Sequence, residues 1–91
     1  MIDELYSTYI ELDPRRPTVD NARLRISGVP IWALIEYYLY AVNEQTERVV
    51  RDFEILPAEM TAALAFYQKY AHDIDLRIAR NQLPTTKRSA A

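Results

Sequence analysis

The stretch from Gly28 to Val42, GVPIWALIEYYLYAV, decides how this chain folds. From Val29 to Val42 only Pro30 and Glu36 lack an apolar or aromatic side chain. A helix that is apolar on nearly every side belongs at the centre of a small bundle. Gly28 suits the end of a preceding strand. Pro30 suits the first turn of a helix, where its missing N–H would have no partner anyway. The run therefore predicts a helix over about Ile31–Val42. It is shorter than the roughly 20 apolar residues that a membrane span needs, and it carries Glu36.

Downstream, Asn43 is expected both to stop this helix in a left-handed conformation and to cap the next. The second helix is expected over about Glu44–Phe53, with Glu44 and Glu47 at its positive dipole end and Val49, Val50 and Phe53 facing inward. Pro57 then opens a third helix. Its stripe is Met60, Ala63, Leu64, Tyr67, Tyr70, Ala71, Ile74 and Ile78, the strongest helical period in the chain, and it runs to about Arg80.

Upstream, Tyr9–Leu12 alternates weakly, as an edge strand does. Asp13-Pro14-Arg15-Arg16-Pro17 breaks it, Asp20-Asn21 marks a turn, and Arg23-Leu24-Arg25-Ile26 alternates apolar with basic residues. The reading is a two-stranded hairpin that needs a second surface to be stable. The expected class is mainly α: a three-helix, helix-turn-helix-like bundle preceded by a short N-terminal β-hairpin. The expected divisions are a lead-in (1–8), a hairpin arm (9–27), the helical domain (28–80) and a flexible tail (81–91).

The 91 residues suggest one domain, and 49% apolar residues is ordinary for a globular one. The net charge of −2 excludes a uniformly basic nucleic-acid binder but not a local basic patch. No cysteine is present, which rules out disulfides and thiolate metal sites and fits a reducing cytoplasm. The opening MIDELYSTYIELD lacks a signal-peptide pattern. Tyr supplies 7 of the aromatic residues, against 2 Phe and 1 Trp, and a ring with a wet end suits an interface as well as a half-buried core position.

No enzyme is expected. His72 is the sole histidine and reads as an exposed helical residue beside Asp73 and Asp75, with no nucleophile nearby. Gly28 is the sole glycine, so a phosphate-cradling loop is unavailable. No cofactor or metal is expected either. The helix order matches a helix-turn-helix, which would place Pro57-Ala58-Glu59-Met60-Thr61 against bases. Glu59 can accept from cytosine and Thr61 can touch a base, but no Arg, Lys, Asn or Gln stands there. The better basic cluster is Arg15, Arg16, Arg23 and Arg25. Arg23 and Arg25 share one face of the predicted strand, where they either grip phosphates or protect a sheet edge with charge. Tyr37, Tyr38 and Tyr40 point about 100° apart or more on a helix, so at least one faces outward and invites a partner. Trp32, Tyr37, Tyr40, Phe66 and Tyr70 are the expected interface residues.

The order Ile26-Ser27-Gly28, VPIWALIEYY, a charged short helix and DFEILPAEMTAALAFYQKYAHDIDLRI resembles the DUF433 family, small proteins regarded as antitoxin components of bacterial toxin–antitoxin systems. Ala62-Ala63-Leu64-Ala65-Phe66-Tyr67 with Ile74-Asp75 is similar to the family's ALAYY…H…EID signature, and His72 lies near the family's histidine. Phe53 and Leu56 stand where the family has the aromatic and leucine of a DYPxLT turn. The resemblance spans about Tyr9–Ile78. Gly28 leads directly to Val29-Pro30-Ile31, without the family's Thr-Arg. Glu54 replaces the turn proline and Pro57 the usual threonine. Val42-Asn43 replaces a common glycine.

What the resemblance implies is a dimeric helix-turn-helix-like domain that binds and neutralises a cognate toxin, typically a PIN-like ribonuclease, and represses its own operon by binding operator DNA. Combined with the residues, the leading expectation is an antitoxin-like homodimer. It would bind DNA through Arg15, Arg16, Arg23 and Arg25, with limited reading by Glu59 or Thr61. The toxin would be held by an aromatic face or the C-terminal tail. The alternative is a dimeric protein–protein adaptor with no DNA role. A small-ligand binder is a third reading, without a convergent polar set to support it.

Overall fold

The computed structural model describes residues 7–90. The fold is mainly helical, with an antiparallel hairpin in front, as the sequence predicts. Strand β1 (Ile10–Glu11) pairs with β2 (Arg23–Leu24), and the register sets Ile10 opposite Leu24 and Glu11 opposite Arg23. Strand side chains alternate faces, so this register gives one apolar pair and one charged pair. Ile10 and Leu24 are fully buried. Between the strands, the loop closes through a single 3-10 turn, Val19–Asn21.

The strand expected over Arg23–Ile26 is shorter. After Leu24 the chain folds into a tight turn, with Gly28 at φ 76 and its N–H donating to the Leu24 carbonyl at 2.9 Å. Ile26 therefore sits on the turn, 83% exposed, rather than on an inward face. The returning segment runs along the other edge of β2. Leu24 N–H donates to the Val29 carbonyl and Ile31 N–H to the Ala22 carbonyl, both at 2.9 Å. This is the second surface that the hairpin needs.

Helix α1 (Ile31–Glu36) starts one residue after Pro30, which is its N-cap. It continues into a π turn, Tyr37–Ala41, closed by Val42 N–H donating to the Tyr37 carbonyl at 3.2 Å. Tyr40, within this turn, is exposed. Asn43 then takes the left-handed conformation expected of it (φ 53), but Glu44 does so too (φ 62). Helix α2 (Thr46–Phe53) consequently begins two residues later than predicted, with Gln45 rather than Asn43 at its cap and only Glu47 in its first turn. Val49 is buried, and Val50 and Phe53 pack against the core.

The predicted third helix is two helices. Helix α3 (Pro57–Lys69) ends at Tyr70, whose φ of −118 and ψ of 34 leave the helical region, and α4 (Ala71–Ala90) follows. The helical backbone thus continues past Arg80 through the stretch where a flexible tail is expected. Of the predicted lead-in, residues 1–6 lie outside the described residues. The break lets both stripes face one centre: Met60, Ala62, Ala63 and Phe66 from α3 meet Ile74 and Ile78 from α4, with Ile31, Leu34 and Ile35 of α1 between them. The helix read as central is therefore the one that both later helices pack on. Among the described residues, no helix is long and apolar enough to cross a membrane.

Candidate interaction surface

The arginines of the N-terminal ribbon divide into two kinds. Arg23 donates from Nε to Glu11 at 2.8 Å and lies 3.9 Å from Asp13. Arg25 reaches the same Glu11 at 3.4 Å and donates to the Ser7 carbonyl at 2.7 Å. They do share a face, but that face carries its own carboxylates. Arg15 and Arg16 are exposed on the loop, and among the described residues neither guanidinium has a carboxylate partner. Asp13 instead organises their backbone, taking the Arg15 N–H on its side chain at 2.9 Å and the Arg16 N–H on its carbonyl at 3.1 Å.

The proposed base-reading positions are corrected in part. Glu59 is 4% exposed and its carboxylate accepts the Leu56 N–H at 2.7 Å. It caps α3 from inside, so it cannot reach a base edge. Leu56 has no side-chain acceptor to offer in return, so this is half of a capping box. Thr61 is exposed, and its hydroxyl donates to the Pro57 carbonyl at 3.1 Å. His72 is exposed on α4. Among the described residues, no group of three or more His, Asp or Glu side chains is arranged to hold a metal ion.

The expected interface residues scatter. Phe66 is fully buried at the centre of the core and is a packing residue, not a surface one. The helical stripe expected for the third helix omits it, yet three- and four-residue spacing sets it on the same face as Ala62, Ala63 and Tyr70. Tyr70 is half-buried, its ring 4.7 Å from that of Phe66. Trp32 is half-buried beneath the Arg77 guanidinium, 5.1 Å away. Arg77 also donates to Asp20 at 3.2 Å and to Asn21, and Arg80 donates to Asp20 at 3.0 Å. Trp32 and Arg77 thus tie the hairpin's 3-10 turn to α4. Burial pushes the Asp20 carboxyl up, but the Thr18 hydroxyl and Arg77 outweigh it and hold its pKa below the usual 3.8.

Tyr37 and Tyr40 do come together. With Phe53, Ala33, Ala41 and Glu36 they line an open groove of about 330 Å3 between the π turn and α2. The Tyr37 ring meets Phe53 edge-on at 5.1 Å, and its hydroxyl donates to Asp52. That hydrogen bond lowers the Asp52 pKa and raises that of Tyr37. Tyr40 is 69% exposed. On the other side of α2 lies a second groove of about 280 Å3, walled by Val50, Met60, Leu64 and Pro57 and rimmed by Glu47 and Arg51. Leu56, 54% exposed, stands in the turn between α2 and α3. Nearby, Tyr67 donates to Asp75 at 2.7 Å; burial and then that bond push its phenol up to about 12.

No family model, no curated protein and no solved structure matches the chain.

Proposed function

We propose that the chain is an antitoxin-like interaction module that acts by gripping a protein partner rather than by chemistry. The observation that carries this reading is the surface around α2, which is flanked by two open grooves, with Tyr40 exposed on the lining of one and Leu56 exposed next to Pro57 of the other. An exposed Tyr beside a preformed concavity is a usual making of an anchor site, and an exposed Leu adds apolar area to it. The partner in this reading is a cognate toxin, a PIN-like ribonuclease by the resemblance to DUF433 proteins, and both proteins are cytoplasmic. A homodimer is part of the reading, since two copies would present the grooves twice.

Co-purification from the native host, followed by sizing of the complex, tests it. The expected result is a stoichiometric complex that Tyr40→Ala or Leu56→Ala weakens while leaving the fold intact. A chain that elutes alone at every concentration, with both variants indistinguishable from wild type, refutes it.

A second reading, operator binding, is favoured by one observation: among the described residues Arg15 and Arg16 are exposed without carboxylate partners, while Arg23 and Arg25 are held by Glu11. Each neutralised phosphate adds about −0.9 to the slope of log K against log salt. Two free arginines per chain therefore give about −1.8 per chain, and four would give about −3.6. A salt series on the DNA upstream of the gene separates these. No binding at low salt removes the DNA reading, and binding that survives Arg15→Ala with Arg16→Ala removes these two residues from it.

A further inference from the structure

The groove between the π turn and α2 has walls and a charge that do not match. Its walls are rings: Tyr37 and Phe53 in edge-on contact, and Tyr40 standing 69% exposed at the mouth. Its charge is the half-buried carboxylate of Glu36. The other carboxylates of similar burial have cations: Glu11 has Arg23 and Arg25, Asp13 has Arg23, and Asp20 has Arg77 and Arg80. Among the described residues Glu36 is met only by the neutral Gln82 amide, at 3.3 Å. Asp52, next to Phe53 in the chain, already holds the Tyr37 hydroxyl and Arg51.

The local backbone adds to the same sign. The groove lies at the C-terminal end of α1 and its π turn, where helix carbonyls concentrate partial negative charge. Aromatic faces carry negative quadrupole density and attract a cation placed over them, more strongly as water is excluded. An occupant of purely apolar character would shut Glu36 away from water without a counter-charge, which is costly. An anionic occupant would meet Glu36 directly.

We infer that this groove is a receptor for one cationic side chain, a lysine or arginine presented by a partner protein. The aliphatic stem lies along Ala33, Tyr37 and Phe53, and the charged head reaches Glu36 beneath Tyr40. This deepens the partner-binding reading above and rests on it for the identity of the partner, though not for the chemistry of the groove. It also gives a role to the π turn, which contributes Tyr37, Tyr40 and Ala41 to the groove.

The test uses the full chain and three capped peptides that differ only at the centre, with lysine, arginine or norleucine. Ring resonances of Tyr37, Tyr40 and Phe53 are followed at fixed protein concentration. Lysine and arginine peptides are expected to move all three rings and to bind about fivefold or more tighter than norleucine. Added salt and Glu36→Gln should each shrink that ratio toward one, and Tyr40→Ala should weaken every cationic peptide, with melting curves confirming that both variants stay folded. Norleucine binding as well as lysine overturns the inference and makes the groove an apolar dock. Ring signals that move with the protein's own concentration, and not with peptide, overturn it in favour of a second copy. If cationic peptides bind but no host partner co-purifies, the groove chemistry stands and the antitoxin-like reading falls. If a partner co-purifies and is indifferent to Glu36→Gln, the reverse holds.

Discussion

Replacing Glu59 by alanine separates the internal-cap role from the base-reading role. In the structure its carboxylate is 4% exposed and takes the Leu56 N–H at 2.7 Å, at the positive end of α3. Losing a charge-assisted bond to a backbone amide costs roughly 1.5–3 kcal/mol when the amide is stranded. Leu56 is 54% exposed, so water can reach its amide and the penalty falls toward the lower end. The favourable interaction with the helix dipole, roughly 0.3–1 kcal/mol, is lost as well. Against this, the substitution relieves the desolvation of a buried carboxylate. The net expectation is about 1–2 kcal/mol, in line with the loss of a helix N-cap. For a domain of this size that lowers Tm by roughly 5–15 °C.

Denaturant unfolding checks it: the midpoint should fall with an unchanged slope, because no change in exposed area is involved. Glu59→Gln keeps an acceptor oxygen but loses the charge, and should cost about half as much. A Glu59→Ala protein within about 0.5 kcal/mol of wild type behaves as an ordinary surface variant. If it also lost DNA binding, the capping argument would be wrong and the base-reading role would return.

Phe66→Ala should destabilise by about 3–5 kcal/mol, since the ring is fully buried, whereas Tyr40→Ala should stay within about 0.5 kcal/mol; paired denaturant titrations compare them. Asp20 has a depressed folded-state pKa, so its contribution is present above the unfolded value and lost as pH falls through the folded one; Tm should drop in that acid window, and Asp20→Asn should flatten the drop. Tyr67 is the opposite case, with a folded-state pKa raised to about 12: its contribution is complete below the ordinary phenol value of 10.0 and fades as pH rises toward 12, and an ultraviolet phenol titration should lose its latest step in Tyr67→Phe. Glu54 occupies a left-handed position at the end of α2 with φ 55, so Glu54→Gly should raise stability by roughly 0.5–1 kcal/mol in thermal melts.

The parts of this fold that follow a period were legible in the sequence. The apolar run after Pro30, the proline at the start of α3 and the antiparallel hairpin each rest on one local rule, and each is present. What was missed depends on departures from the period. Nothing in Phe66-Tyr67-Gln68-Lys69-Tyr70 breaks a helix by propensity, since no Gly or Pro stands there. The helix nevertheless ends at Tyr70, and residues on both sides of that break share one core with α1. Phe66, expected at an interface, has a spacing from Ala62, Ala63 and Tyr70 that sets it on the buried face. The π turn at Tyr37–Ala41 has no sequence signature either, yet it carries the exposed Tyr40. Glu59 was misread because an acid at the third position of a helix looks the same whether it caps the helix or faces a ligand. Only its burial decides.

The pairing of Glu11 with Arg23 bears on more than the site. Directly opposed residues on an antiparallel pair interact most strongly, and here the outward pair is a salt bridge while the inward pair is Ile10 with Leu24. A slip of one residue would turn Leu24 to solvent and bring Arg23 or Arg25 against the core, so charge and apolarity enforce the same register. The arginines of the ribbon are therefore explained by the fold before any nucleic acid is invoked. Only Arg15 and Arg16, which take no part in the register, are left for a ligand. The same reasoning applied to carboxylates singles out Glu36, the half-buried acid that has no cation beside it among the described residues. Side chains that the fold already uses are poor candidates for recognition, and in this chain that criterion shifts attention from the basic hairpin to the aromatic groove beside α2.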